Sequence, residues 1–126
     1  MDRLPPDVQR LIATCIDSVE TMEILILLRR SPDSFWSGEA VAAQLGIKPE
    51  VAERKLGALT NAGLLARGFQ SGAFRFAPSD DALRQTVDQL AETYANRRIN
   101  VLNAIYSENL NRLRAFSDAF KLKKED

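Results

Sequence analysis

Two glycines, a proline and a serine divide residues 36–78 into a fixed order of elements. Ser37 can cap the start of a helix through its hydroxyl, and Gly46 can take the left-handed conformation that ends it. Pro49 suits the first position of a second helix, and Gly63 can end that helix in a Schellman turn. The sequence therefore predicts two helices joined by a turn of about four residues.

A hairpin with a glycine-rich tip is predicted directly after the second helix. Two short strand-like runs flank the tip formed by residues 68–72. Phe74 and Phe76 alternate with Arg75, so strand geometry sends both rings to the core and the guanidinium outward. Residues 35–36 can add a third short strand at the edge of the hairpin. Helix, turn, helix and hairpin follow one another in a winged helix-turn-helix, where the hairpin is the wing.

Two helices are predicted before this module. Val8 to Ile16 has helical spacing, with two prolines upstream and Asp7 able to cap. A second helix starts at Asp17 or Ser18 and runs through Leu28. Its apolar residues occupy most of its circumference, which predicts a central core helix.

The segment after Asp80 contains no glycine or proline, and a long helix is predicted from Asp80 to about Tyr106. Ser107 to Asn109 is predicted to cap a further short helix. Asp80 and Asp81 are predicted to occupy the first helical turn rather than to bind a metal. The predicted organisation is a winged helix-turn-helix domain with N-terminal helices over residues 1–78 and a C-terminal helical segment, residues 79–126, packed on it.

The long helix is predicted to carry more apolar surface than one chain can cover, so a homodimer is expected. The alternative is that the same side chains form the core of a single chain. The residues predicted to form the dimer contact are Leu83, Val87, Leu90, Tyr94, Val101, Leu102 and Ile105.

Composition narrows the class of protein. The 126 residues, 45% of them apolar, suffice for one folded unit with a hydrophobic core. No segment resembles a membrane span or a signal peptide, so a cytoplasmic protein is expected. Cys15 is the only cysteine and histidine is absent, which removes the usual general base and a common metal ligand. We therefore expect a protein that is not an enzyme and that holds no cofactor or metal.

In a winged helix-turn-helix, the second helix enters the major groove of DNA and the wing follows the backbone or the minor groove. Arg54 can bridge guanine acceptors, Asn61 can pair with adenine, and Glu53 can accept from the cytosine amino group. The complete set of predicted DNA-binding residues is Lys48, Glu53, Arg54, Lys55, Asn61, Arg67, Gln70, Ser71 and Arg75.

Two functions other than DNA binding remain open from the sequence. Residues 34–78 carry five Lys or Arg against three Glu, a net charge of +2, and the whole chain is neutral. Glu50 and Glu53 are also predicted to face outward, which is compatible with a winged-helix protein-interaction module that does not bind DNA. A pocket for an effector beneath the long helix, lined by Trp36, Tyr94 and Tyr106, is a further alternative.

Residues 35–42, 45–47 and 56–65 resemble the winged-helix domains of small bacterial transcriptional regulators, broadly the MarR-like and PadR-like groups. The resemblance implies that Pro49 to Ala62 is the recognition helix and that residues 67–75 form the wing. It also implies that the helix from Asp80 mediates dimerisation and that the partner is double-stranded DNA.

Overall fold

The computed structural model describes the backbone of residues 3–124 and the side chains of residues 3–118. Over this range the chain is mainly helical with a small three-stranded antiparallel sheet. This confirms the prediction of a mainly α-helical fold that contains a small β-hairpin. The elements are α1 (Pro6–Cys15), α2 (Val19–Arg30), β1 (Trp36–Ser37), α3 (Gly38–Leu45), α4 (Pro49–Asn61), β2 (Leu65–Arg67), β3 (Ala73–Phe76), α5 (Asp81–Asn96) and α6 (Arg98–Lys124).

Helix α2 lies at the centre of the molecule. Met22, Ile24, Leu25 and Leu28 have no solvent-exposed surface, and the helix packs against α3, α4 and β3. Its first turn is closed by Ser18, whose hydroxyl accepts a hydrogen bond from the Thr21 amide at 3.2 Å. The prediction of a central core helix is confirmed, because a helix that is apolar on most sides must be covered on most sides.

The helix pair α3 and α4 begins and ends where the sequence predicts. The Ser37 hydroxyl accepts from the Ala40 amide at 3.1 Å, and Gly46 ends α3 with a φ of 71°. Pro49 is the first residue of α4. These local signals set the short turn that allows α3 to pack on α4.

Helix α4 ends in the predicted Schellman turn. Gly63 has a φ of 85° and its amide donates to the Thr60 carbonyl at 3.0 Å. The Leu64 amide donates to the Leu59 carbonyl at 3.0 Å, and both leucines are buried. The turn reverses the chain from the end of α4 into β2.

The sheet has the strand order β1, β3, β2, with both pairs antiparallel. The predicted third strand is present, one residue later than expected, and Trp36 pairs with Phe74. Phe74 and Phe76 are 4% and 3% exposed, so they belong to the core as predicted. Arg75, between them, projects from the opposite side of the sheet.

The prediction that Asp7 caps α1 is wrong. The helix begins at Pro6, with Pro5 as the preceding cap residue and no side-chain cap. Asp7 lies within the first turn and pairs with Arg10 at 3.3 Å. The proline ring already fixes a helical φ at the first position, so the helix starts one residue before the aspartate.

The prediction of one helix from Asp80 to Tyr106 is also wrong. Asp80 is the cap residue of α5, accepting from the Leu83 amide at 2.7 Å, and the helix stops at Arg97, which has φ −137° and ψ 59°. Helix α6 then passes through residues 107–109 without a break. The turn at Arg97 brings α6 back against α1 and α5, so packing between elements decides the boundary and no local signal marks it.

This packing shows that the predicted dimer contact is wrong for four of its seven residues. Val87, Leu90, Val101 and Ile105 are at most 2% exposed within one chain and belong to the same hydrophobic cluster as Leu4 and the α2 residues. These four side chains cannot contact a second chain in this fold. The other three predicted dimer residues, which pack partly buried against this core, are Leu83, Tyr94 and Leu102.

Replacing Gly63 by alanine should lower the free energy of unfolding by about 1–2 kcal/mol, because a φ of 85° disfavours any residue with a Cβ. The added Cβ would also lie 3.1 Å from Ser79 Oγ. Urea unfolding followed by circular dichroism measures the change.

Gly57→Ala is the matched control. Gly57 lies inside α4, and the nearest atom to an added Cβ is Arg67 Nη2 at 3.9 Å, an ordinary contact. Alanine favours a helix interior over glycine by up to about 1 kcal/mol, so this variant should be as stable as the parent or more stable. Equal destabilisation by both substitutions would contradict the assigned end of α4.

Candidate nucleic-acid interface

One face of α4 is open to a partner. Glu50, Arg54, Ala58 and Asn61 are exposed at spacings of four and three residues, which places them in one row along the helix. The opposite face buries Ala52, Leu56 and Leu59. We call the row formed by Glu50, Arg54, Ala58 and Asn61 the α4 stripe. Lys48, also exposed, lies just before its first turn.

Arg54 is the cation in the middle of the α4 stripe. Its side chain is exposed, and it forms no ion pair with another of the residues whose side chains the structure describes. On one side it borders a cavity of 380 Å³ that Lys55 and Arg112 also line. Arg54 is therefore free to form a charge-assisted hydrogen bond with an external acceptor.

Lys55 does not join this surface, although it was predicted to bind DNA. Its side chain is only 12% exposed and turns toward the start of α2. The ammonium donates to Ser18 Oγ at 2.8 Å and to Thr21 Oγ1 at 3.2 Å, and lies 3.4 Å from Asp17 Oδ1. Its role in this fold is to connect α4 to the α1–α2 turn.

The pKa of Asp17, which lies at this contact, is shifted. Burial acts to raise the pKa of Asp17, but the hydrogen bond from Thr21 and the charge of Lys55 outweigh it and hold the pKa below its ordinary value. Thr21 donates to the same carboxylate oxygen that Lys55 approaches. The carboxylate is thus stabilised in its ionised form by the fold.

Glu53 is exposed, but its stem lies directly over Gly38 in α3. The buried glycine leaves space for this side chain, and one carboxylate oxygen lies 3.3 Å from the position that a Cβ on Gly38 would occupy. Gly38 is the first residue of α3, where the helix dipole is positive. The stem of Glu53 is therefore held beside the first turn of α3.

The two arginines of the hairpin lie on opposite sides of the sheet. Arg67 pairs with Phe74 across the strands, and its guanidinium lies 5.0 Å from the Phe74 ring centre. It also approaches Gly57, so it occupies the seam between the hairpin and α4. Arg75 lies over the Phe35 ring at 5.9 Å on the other side. Of the two, Arg67 adjoins the α4 stripe.

The hairpin tip presents an aromatic side chain that was not among the predicted site residues. Phe69 is fully exposed, next to the exposed Gln70 and Ser71. Phe35 is 53% exposed and its ring packs against Gly68. The position of Phe69 between two glycines of a short hairpin loop was the available signal, because such a loop has no core in which to bury a ring.

The three aromatics proposed to line an effector pocket are separated. Tyr106 is 65% exposed on α6, and Tyr94 lines a cavity of 260 Å³ together with Leu45 and Arg98. Trp36 is partly buried in β1, and its indole nitrogen has no hydrogen-bond partner among the described side chains. The structure therefore gives no support for a shared aromatic pocket.

Within residues 3–118 no three acidic, cysteine or histidine side chains cluster as they would around a metal ion. No helix among the described residues combines the length and apolar character that crossing a membrane requires.

Comparisons of the chain with protein-family models, with curated proteins and with solved structures find no match. The side chains of α4 and of the hairpin are therefore the basis for assigning a function.

Lys55→Met should lower the free energy of unfolding at pH 7 by about 1 kcal/mol, because Lys55 is nearly buried and has three polar partners. The loss of stability is no larger because the Asp17 side chain is 66% exposed and its charge is screened by solvent. Lys48→Met, the same change at an exposed lysine, should shift stability by less than about 0.5 kcal/mol. Urea unfolding at pH 7 compares the two.

The pH dependence of Lys55→Met provides a second readout. Asp17 has a folded-state pKa below the ordinary 3.8, so its contribution to stability is complete above that value and is lost as pH falls through the folded value. Removing the lysine charge should bring the two values closer together. The variant should then lose less stability than the parent between about pH 5 and pH 2, and an unchanged slope would contradict the assigned contact.

Proposed function

We propose that the chain is a DNA-binding transcriptional regulator of the winged helix-turn-helix type that acts as a homodimer. In this proposal α3 and α4 are the helix-turn-helix, α4 is the recognition helix, and the hairpin of β2 and β3 is the wing. The resemblance of residues 35–42, 45–47 and 56–65 to MarR-like and PadR-like regulators agrees with this assignment. The partner is double-stranded DNA.

The observation that carries the proposal is the exposed α4 stripe with Arg67 beside it. Arg54 is exposed and without an ion-pair partner among the described side chains, and Arg67 lies where the hairpin meets α4. A recognition helix requires polar side chains on its outer face and an adjacent cation for the DNA backbone. Both requirements are met on one side of the molecule.

Arg54 and Asn61 can read separate base pairs. They are seven residues apart on one face of α4, which corresponds to about 10 Å along the helix axis. Base pairs are spaced about 3.4 Å apart, so the two side chains lie about three base pairs from one another when the helix follows the groove. Arg54 would bind guanine and Asn61 adenine, each pair being worth about 1–3 kcal/mol of discrimination.

The remaining predicted contacts divide into two groups. Lys48, Arg67, Gln70 and Ser71 are exposed and are assigned to phosphates, which fix position without reading sequence. Arg75, half-buried on the far side of the sheet, is assigned a phosphate contact only where the wing enters a groove.

Lys55 is removed from the base-reading set, because its ammonium is engaged within the chain. Glu53 is exposed and has no ion-pair partner among the described side chains, so its carboxylate stays in the proposed set as an acceptor for the cytosine amino group. Glu50 remains exposed, so the affinity for random duplex should be modest and sensitive to salt.

Arg54→Ala and Arg67→Ala should each weaken binding to duplex DNA, by about 5- to 100-fold for a specific site. Fluorescence anisotropy with a labelled duplex, repeated over a salt series, measures this effect. Arg67→Ala should also reduce the salt dependence by about one phosphate contact.

Arg10→Ala is the control for these two variants. Arg10 is exposed on α1, and its ion pair with Asp7 is solvent-screened, so the substitution should leave both DNA affinity and folding nearly unchanged. Absence of salt-dependent binding by the parent at micromolar protein, with random duplex at low salt, would count against the proposal as a whole.

The rival function is a winged-helix module that binds another protein. The exposed Phe69 and Phe35 at the hairpin favour it, since aromatic side chains are common anchors of protein interfaces. The neutral net charge of the chain and the exposed Glu50 are also compatible with a protein partner. In the DNA-binding proposal, Phe69 instead enters the minor groove as an apolar wedge.

Phe69→Ala distinguishes these two roles. If Phe69 contacts DNA, the substitution should weaken duplex binding by about tenfold, which corresponds to about 1.4 kcal/mol, while leaving thermal stability unchanged. Gln85→Ala, at an exposed position on α5 outside the proposed interface, should leave the affinity unchanged. Full retention of DNA affinity by Phe69→Ala would exclude the DNA contact for this side chain and favour the protein-binding role.

A further inference from the structure

A cavity of 380 Å³ lies between α4, the turn that joins α1 to α2, and α6. Arg54 and Lys55 line it from α4, and Arg112 lines it from α6. Asp17, in the turn, is the only carboxylate among its lining residues. Three cations against one anion give the walls a net charge of +2. We call this space the α4–α6 cavity.

The negative charge in the α4–α6 cavity is already paired. The Lys55 ammonium lies 3.4 Å from Asp17 Oδ1. It also donates to the hydroxyl groups of Ser18 and Thr21, at 2.8 and 3.2 Å. These contacts occupy all the donors of a lysine ammonium. The charges of Lys55 and Asp17 thus compensate one another, and the excess charge of the cavity belongs to the two arginines.

Both arginines keep free donors for a ligand. Arg112 donates to the Ala13 carbonyl at 2.6 Å and to Asn109 Oδ1 at 2.8 Å, which uses two of the five N–H donors of its guanidinium. Arg54 forms no ion pair with another described side chain. The two guanidinium groups line the cavity from different helices, so an anion inside it can be held from two sides.

We propose that the α4–α6 cavity binds the phosphate monoester group of a small molecule, held by Arg54 and Arg112. A phosphate monoester carries a charge of about −1.5 to −2 at pH 7, which balances the +2 of the walls. A phosphate diester of the DNA backbone carries a single charge and balances only part of it. Guanidinium groups are also suited to this ligand, because they form bidentate hydrogen bonds with phosphate oxygens.

The size of the cavity fits a small ligand. Binding sites for small molecules have volumes of about 300–1,000 Å³, and 380 Å³ lies near the lower end of this range. Ala58 and Ala62 line the cavity on the α4 side, and their short side chains leave room beside Arg54. Glycerol 3-phosphate is therefore a suitable probe, since it carries a monoester on a short polar chain.

Binding of a phosphate in this cavity is independent of the proposed function, but one consequence rests on that function. Arg54 belongs both to the cavity and to the α4 stripe, so a bound phosphate takes up donors that base reading needs. Phosphate and DNA should therefore weaken the binding of one another reciprocally. DNA binding would in this way respond to a phosphorylated small molecule.

Isothermal titration calorimetry without DNA tests the site. Glycerol 3-phosphate at pH 7 should bind the parent in a saturable manner, with a dissociation constant of about 1 mM or lower. Dimethyl phosphate, which has the single charge of a diester, should bind at least about tenfold more weakly. Absence of saturable binding of glycerol 3-phosphate up to about 10 mM would overturn the proposal. Equal affinity for the two compounds would overturn the assignment to a monoester.

Arg112→Gln removes one of the two guanidinium groups. It should weaken the binding of glycerol 3-phosphate by about tenfold or more, because hydrogen bonds between charged groups are lost. Arg114→Gln is the matched control, since it makes the same change at an exposed arginine of α6 that does not line the cavity. Equal losses in the two variants would mean that only the net charge of the chain matters, which would overturn the site.

Ala58→Glu tests the cavity with both arginines in place. Ala58 is exposed on α4, so the variant should fold, and circular dichroism verifies its helicity. The added carboxylate should weaken the binding of glycerol 3-phosphate by at least about tenfold through repulsion and loss of space. Ala95→Glu, at an exposed alanine of α5 that does not line the cavity, should bind as the parent does. Undiminished binding by Ala58→Glu would overturn the proposal.

The duplex affinity of the parent tests the consequence for DNA. Glycerol 3-phosphate at about 10 mM should weaken duplex binding about threefold or more beyond the effect of sodium chloride at equal ionic strength. An affinity equal to that in the salt control would overturn the competition at Arg54. A parent that binds glycerol 3-phosphate but no duplex would overturn the DNA-binding proposal and support the phosphate site.

Discussion

The rest of the structure depends on the burial of α2. Ile24, Leu25 and Leu28 have no contact with solvent, and each such side chain contributes about 1.5–3 kcal/mol relative to exposure. A helix with apolar residues on most of its circumference cannot be stable at a surface, so other elements must surround it. Helices α3 and α4 and strand β3 do so, and this packing leaves the outer face of α4 at the surface. The exposure of Arg54 is thus a consequence of the way in which the core closes around α2.

The features that sequence predicted well are local. Ser37, Gly46 and Gly63 each act within one helical turn, through a side-chain cap or a positive φ, and the structure has all three as expected. The break at Arg97 has no such signal, because it results from α6 folding back against α1 and α5. A helical pattern that continues across residues 96–98 describes both a straight helix and a broken one. Only packing between elements distinguishes these alternatives, and it also moved Val101 from a predicted dimer surface into the core.

In the candidate site, too, the sequence predicts the local features but not those that depend on packing between elements. The spacing of Leu56 and Leu59 predicts which side of α4 is buried, and hence that Arg54 and Asn61 are exposed. It does not predict which element lies beside each flank of the helix. On one flank, Lys55 donates a hydrogen bond to Ser18 at the start of α2. On the other flank, the stem of Glu53 lies against Gly38 of α3. A cation at the edge of a helix can therefore be either a ligand-binding group or a structural contact, depending on a neighbour that is distant in sequence.

The segment around the turn between α1 and α2 connects α4 with α6. Lys55 attaches α4 to Ser18 at one end of this turn, and Arg112 attaches α6 to Ala13 at the other. If α6 pairs two chains and α4 enters a major groove, the separation of the two α4 helices is set through this short segment. Half-sites one helical turn apart lie about 34–36 Å from centre to centre, so a small displacement of the turn would change which spacing fits. The polar contacts of Lys55 and Arg112 hold α4 and α6 to the same short segment, so in the proposed homodimer they would also fix the position of α4 relative to the second chain.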